Sequence, residues 1–271
     1  MTGGAATEPH DDGRTPPGSY GFGHAARMEW IKLRSLRSTP SALLLVLAGM
    51  VGIGVATMSA TRAPATDAAR RAFDPTNNVL TGVALGQLVV GVLGVLLVSA
   101  EYSSGTIRAT FAAIPRRQLV LAAKATVFGM VVLIVGEAVC FATFFAGRTA
   151  LAENVPAPAL DDPGVLRAVV LSGAYLAQIG LIGIGLGAIV RHTAGAIGAL
   201  VAVTFVLPLV TAGLSGPTVA KFFPTLIAAN SIAVAKPVSD TLAPWTGFAV
   251  LCLYTAAALG GGGWLLTRRD A

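Results

Sequence analysis

Val79-Leu80-Thr81-Gly82-Val83-Ala84-Leu85-Gly86-Gln87-Leu88-Val89-Val90-Gly91-Val92-Leu93-Gly94-Val95-Leu96-Leu97-Val98-Ser99-Ala100 contains no charged residue. Its length matches the ~20 residues that a helix needs to cross a bilayer. Barrel strands would alternate apolar and polar residues in short segments, whereas this run is continuously apolar. In hydrocarbon a backbone must satisfy its own N–H and C=O groups, which leaves a helix as the only form such a run can take.

Five further uncharged stretches read the same way: residues 41–60, 125–147, 168–190, 194–214 and 244–266. The whole chain of 271 residues is 54% hydrophobic and 12% charged, with a mean hydropathy of +0.74. A soluble domain carries about 25% charged residues, so a soluble fold is excluded and the expected class is an all-α, polytopic membrane protein with six transmembrane helices. The net charge of +6 is accounted for by basic residues beside span ends, where an anionic leaflet selects them. Nucleic acid is not expected as a partner; membrane lipid is. Cys140 and Cys252 both fall inside apolar runs and read as packing residues, not as a disulfide framework.

Residues 1–23 are rich in Gly, Pro, Thr and acidic side chains and too poor in aliphatic ones to fold. They read as a disordered cytoplasmic tail preceding a six-helix transmembrane domain over 24–271. The first apolar stretch begins at Ser41, too late for a cleaved signal peptide. Residues 222–235, between Lys221 and Lys236 and interrupted by Pro224 and Asn230, are too short to cross and read as a re-entrant hairpin before the last helix.

Six crossings place Arg14, Arg27, Lys32, Arg34, Arg37, Arg108, Arg116, Arg117, Lys124, Arg191, Arg268 and Arg269 on one side, against Arg62, Arg70, Arg71, Arg148, Arg167, Lys221 and Lys236 on the other. The basic excess predicts that both termini are cytoplasmic. The pairs Gly82/Gly86 and Gly183/Gly187 have the four-residue spacing that lets helix backbones approach, and packing within the bundle is the expected use.

Chemistry is sparse. No GxxxxGK[ST] phosphate loop occurs and no soluble segment could hold an ATPase domain, so any use of ATP and Mg must come from a partner and no enzyme activity is expected of this chain. Gly213-Leu214-Ser215-Gly216 resembles the GxSG of intramembrane proteases, but His10, His24 and His192 all fall on the opposite side from Ser215, leaving it no base. No His, Cys, Asp and Glu cluster has metal-ligand spacing. Glu137 is the one carboxylate inside a predicted span. An ionised group there costs at least ~2.5 kcal/mol on insertion scales. Either it is a hydrogen-bonded packing residue, paired with Gln87, Gln178 or Tyr175, or it lines a translocation path.

The link Glu101-Tyr102-Ser103-Ser104-Gly105-Thr106-Ile107-Arg108-Ala109-Thr110-Phe111-Ala112-Ala113-Ile114-Pro115-Arg116-Arg117 carries a second signal. Gly105 can end a span, Thr106 can cap a new helix, and Pro115 stops it. Ile107, Phe111 and Ile114 fall on one stripe with Arg108 off it, so the short helix can seat an apolar face on the bundle and offer the other to a partner. A plain interfacial connector would look similar. Before the first span, Glu29-Trp30-Ile31-Lys32-Leu33-Arg34-Ser35-Leu36-Arg37 mixes basic residues with Trp30, as an interfacial helix does, although its apolar residues form no clean stripe.

These two segments, Glu29-Trp30-x-Lys32-Leu33-Arg34-Ser35-x-Arg37-Ser38 and Glu101 to Arg108 followed by Pro115-Arg116-Arg117 and Lys124, resemble the permease subunits of type-2 bacterial ABC exporters. The resemblance implies that residues 29–38 form a connecting helix at the membrane surface. It implies that Glu101, Gly105, Thr106, Ile107, Arg108, Phe111, Arg116 and Arg117 belong to a coupling helix that docks on the ATPase. It further implies two ABC ATPase subunits, a second permease subunit, identical or homologous, and a multi-pass location in the bacterial inner membrane. Nothing is implied for Glu137. A noncatalytic membrane scaffold or immunity protein is an alternative; a secondary transporter is a poorer one, since no repeated halves with broken helices are evident.

Overall fold

The computed structural model describes residues 21–35, 38–67, 73–153, 155–234 and 242–268. Residues 1–20 of the tail, with Arg14, and also Arg37, Arg70, Arg71, Lys236 and Arg269, lie outside the described residues. All regular elements among the described residues are helices: α1 (Phe22–Ser35), α2 (Ser38–Ala60), α3 (Pro75–Ser103), α4 (Thr106–Ala113), α5 (Arg117–Thr149), α6 (Val165–Val190), α7 (Thr193–Leu214), α8 (Pro217–Ala220), α9 (Pro224–Ile232) and α10 (Pro244–Arg268). Six of them, α2, α3, α5, α6, α7 and α10, are long and apolar enough to span a membrane. The chain is an all-α polytopic membrane protein.

Of the boundaries that differ from the sequence reading, two bear on the site. α1 begins at Phe22, inside the stretch assigned to the tail. The third span begins at Arg117 instead of Ala125, which places Lys124 well inside a helix instead of at its edge. A lysine marks a span end only when its ammonium reaches water, and this one does not.

α6 is the central helix, packed against α3, α5, α7, α9 and α10. Apolar burial drives little helix association in lipid, so close packing must come from small residues. At Gly185 an added Cβ would stand 2.6 Å from the backbone of Ala258, and at Gly187 2.9 Å from the carbonyl oxygen of Val95. At Gly183 it would collide with the carbonyl of Gly91, and at Gly94 with that of Gly180. The Gly183/Gly187 pair therefore joins α6 to α3 within one bundle, and Gly82, where a Cβ would lie 2.7 Å from the Met50 carbonyl oxygen, joins α3 to α2.

The fifth span is irregular for an identifiable reason. Pro208 has no N–H to offer the carbonyl of Thr204 four residues earlier, and the helix widens into a π turn over Ala202–Val206. The Thr225 hydroxyl of α9 donates to that Thr204 carbonyl. The segment 222–235, expected to be a re-entrant hairpin, carries one short helix, α9, and α8 lies just ahead of it. Its far end is gripped by Asp74, whose Oδ2 accepts from the Val234 N–H at 2.6 Å, and by Arg167, whose Nη2 donates to the Ala233 carbonyl at 2.8 Å.

Thr225→Val, nearly isosteric, removes the hydroxyl that donates to the buried Thr204 carbonyl. The expected loss is ~1–3 kcal/mol, read as a lower unfolding midpoint in detergent, with Thr225→Ser close to wild type. Gly183→Ala should cost a similar ~1–3 kcal/mol through overpacking, whereas Gly198→Ala, with nothing within 4 Å of the new methyl, should not destabilise.

Candidate functional site

The face that α1 turns inward consists of Ala25, Glu29 and Leu33, spaced four residues apart. The apolar stripe that α1 lacks in sequence is present in the fold, with a carboxylate as its middle member. Opposite it stands Lys124 of α5, whose Nζ donates to Glu29 Oε2 at 2.6 Å and to Glu101 Oε1 at 3.0 Å. Lys32 completes the group. Its Nζ donates to Glu101 Oε1 at 2.9 Å, to Glu29 Oε1 at 3.3 Å and to Thr110 Oγ1 at 3.2 Å. Four helices, α1, α3, α4 and α5, each contribute a member.

Glu29 and Lys124 are each only 3% exposed. Two carboxylates and two ammonium groups sum to zero charge, which makes the burial tolerable. Burial pulls the Lys32 ammonium down, but hydrogen bonding and charge from Glu101 and Glu29 outweigh it and hold the group above its ordinary value. A buried ion cluster adds little net stability against a well-packed apolar alternative, but losing one member strands a charge. Its effect is to fix register, because a slip of α1 along α5 separates the charges.

α4 is seated beside this cluster. Gly105, at φ 72°, ends α3 and stands at the cap position of α4; Thr106 is already helical, and its hydroxyl hydrogen-bonds with that of Ser104 at 2.9 Å. Gly105 therefore does the capping that the sequence reading gave to Thr106, since its missing Cβ tolerates the left-handed turn. Ile107 and Ile114 are buried and Phe111 half-buried, as the stripe predicted. Ile114 shares a small apolar core with Ala25, Val120 and Ala123, while Phe111 and Met28 pack on its edge. The short helix is thus held to α1 by apolar contact and by the Lys32–Thr110 hydrogen bond.

Of the four charges expected around α4, two turn inward. Glu101 is spent on the ion cluster. Arg117 donates from Nη1 to the Leu266 carbonyl at 3.0 Å, with its guanidinium 5.3 Å from the Phe111 ring centre. Arg191, a residue the sequence reading used only for orientation, does the same for the neighbouring carbonyl of Leu265 at 3.1 Å and stands 5.2 Å from the Tyr102 ring. Cations are favoured at the last, unpaired carbonyls of a helix, so these two arginines tie the end of α10 to α4, α5 and α6. Arg108 and Arg116 are exposed. In α1, Trp30 and Arg34 are exposed on the face opposite Glu29.

Glu137 is not paired as expected. Tyr175 donates to Gln87 and the two are buried together. Gln178 donates from Nε2 to Cys252 Sγ at 3.0 Å. The Glu137 carboxyl instead lies against Gly173 of α6, where an added Cβ would stand 2.5 Å from its Cδ. Its Oε2 is buried and has no hydrogen-bond partner. A residue of any size at 173 would displace it.

Sequence reasoning named Glu29, Lys32 and Glu101 singly and missed that Glu29 and Glu101 converge on Lys124, with Lys32 bonded to the same two carboxylates. The legible signal was local: Leu119-Val120-Leu121-Ala122-Ala123 precedes Lys124 without a polar break, so the lysine had to face an acid or leave the helix.

Lys124→Met leaves two acidic groups against one ammonium and should destabilise the protein by ~3–5 kcal/mol. Adding Glu29→Gln removes the stranded charge, so the double variant should be more stable than Lys124→Met alone. A double-mutant cycle by unfolding in mixed micelles measures this; additive losses would mean the pair is not coupled.

No family model and no curated protein matches this chain, so its functional reading rests on the arrangement of these residues.

Proposed function

We propose that this protein is the permease subunit of an ATP-driven ABC exporter of the type-2 class, working in the bacterial inner membrane. In this reading two permease subunits form the translocation path between them. Two separate ATPase subunits, which carry the ATP and Mg, dock on α4. Both termini and the end of the bundle that holds α1 and α4 face the cytoplasm, in line with the basic excess on that side.

The observation that carries the reading is the construction of α4. It is a rigid helix of eight residues between two spans, seated by Ile107 and Ile114, with Arg108 and Arg116 on its outer side. A force applied to its outer face reaches α3 through Gly105, α5 through Pro115, and α1 through Thr110 and the ion cluster. A connector that merely joined two spans would need neither the seating core nor the tie to α1. The inward roles of Glu101 and Arg117 leave Arg108 and Arg116 as the charges available to an acidic groove on the ATPase. Truncating one partner of a desolvated charge pair typically costs ~2–5 kcal/mol of binding.

Arg108→Glu should insert and fold normally yet lose ATPase co-purification, whereas Phe111→Ala should retain the ATPase but lose substrate-stimulated hydrolysis, because α4 is no longer firmly seated. Normal assembly and stimulated transport in both variants would reduce α4 to a connector. The isolated chain should hydrolyse no ATP above contaminant controls. Reporter fusions after Thr66 and Asp161 should report the outside and fusions after Arg117 and Ala271 the inside; an outside signal at Ala271 would overturn the six-crossing orientation.

A further inference from the structure

Beside the helix contact that holds Glu137, an apolar groove runs between α5, α6 and α10. Its inner part, about 340 Å³, is lined by Gly129, Met130, Leu133, Ala174, Gln178 and Phe248 among others. An adjoining part of about 460 Å³ shares Ala125 and Thr126 with it and continues along α10 to Gly263 and Trp264. Both volumes fall within the range that small-molecule sites occupy.

One buried oxygen acceptor without a partner belongs to a wall of the inner part, and a second lies one helical turn along α5 from that wall. Gln178 spends its amide N–H on Cys252, and its Oε1 is buried and unpaired. Glu137 is one helical turn beyond Leu133 on α5, its carboxyl lies against Gly173 and accepts from the backbone N–H of Ala174, and its Oε2 is buried and unpaired. Leu133, Ala174 and Gln178 are all walls of the groove. Among the described residues no cationic side chain lines either part. A buried acceptor without a donor is costly, and an intramembrane carboxylate without a counter-charge more so.

We propose that this groove binds a lipophilic ammonium ion, with the Glu137 carboxylate as its counter-charge, Gln178 Oε1 as a second acceptor, and the apolar body lying against Met130, Leu133 and Phe248. An ammonium supplies three donors and a positive charge, which is what the two oxygens lack. An anion would be repelled by Glu137, and a neutral apolar molecule would leave both oxygens unpaired. Glu137 is twelve residues from the Thr149 end of its helix, roughly 18 Å at the rise of an α-helix, deeper than an ethanolamine headgroup sits. The site belongs to a single chain and needs no partner subunit; that its ligands are also the transported class rests on the exporter reading.

The test is equilibrium binding of tritiated 1-aminoadamantane, a compact apolar cage bearing one ammonium group, to the full chain in phosphatidylcholine nanodiscs, with empty discs subtracted. Binding should be saturable, and unlabelled amine should compete at least tenfold better than 1-adamantanol, its neutral counterpart. Glu137→Gln, which keeps the shape, should weaken amine binding at least tenfold and abolish the preference for amine over alcohol. Met130→Trp, which fills the groove from its exposed wall, should weaken both ligands, and circular dichroism and size-exclusion profiles identify any variant that misfolds. Non-saturable uptake equal to that of empty discs, or undiminished amine binding in Glu137→Gln and Met130→Trp, would overturn the proposal. The assay contains no ATPase, so its failure leaves the permease reading standing, and failure of ATPase docking leaves the binding result standing.

Discussion

The end of the bundle that carries α1 and α4 depends on one buried ammonium. Lys124 sits in the third span where no water can solvate it, and Glu29 and Glu101 supply the charge that water would otherwise screen. Because Glu29 comes from α1 and Glu101 from α3, satisfying Lys124 dictates where two other helices lie. Lys32 then balances the second carboxylate and reaches Thr110, which extends the constraint to α4. Interactions of this kind contribute more to register than to net stability. Register is what the proposed docking of a partner on α4 would need.

Away from that end, the bundle is held by backbone contact. Gly183, Gly185 and Gly187 bring α6 against α3 and α10 at distances that admit no side chain. A stiff central helix of this kind leaves motion to the elements that it does not grip so closely. α7 is one: few of its residues are buried, it carries a π turn and a proline, and one of its carbonyls is satisfied by α9 instead of by its own helix. A span whose backbone depends on a neighbouring helix can change shape when that neighbour moves.

The two polar features of the protein differ in kind. The Glu29–Lys124–Glu101–Lys32 cluster is neutral and internally satisfied except for Glu101 Oε2, which suits a mechanical joint. Gln178 presents an unsatisfied acceptor to an apolar groove, and Glu137 holds a second one helical turn along α5 from its wall, which suits recognition of something that comes from outside the chain. Joint and groove share α5, so a ligand at one and a partner at the other would act on the same helix.

The amino-acid sequence alone determined the class of the protein, because the hydrocarbon core leaves a continuously apolar run no conformation but a helix, and six such runs can be counted by eye. It also determined α4, because Gly105, Pro115 and the Ile107–Phe111–Ile114 stripe are local signals that depend only on backbone freedom and helical period. Pairing was decided by tertiary structure. Glu29 and Lys124 are 95 residues apart in the chain, and each alone resembles an ordinary charge at a membrane surface. The same holds for Arg117 and Arg191, whose partners are carbonyls that exist as acceptors only because α10 ends beside them. It holds also for Glu137, whose expected partners Gln87 and Tyr175 found one another. Composition and period report what each segment must do with its own surface, whereas the partner of a buried charge is set by which helices the glycine contacts bring together.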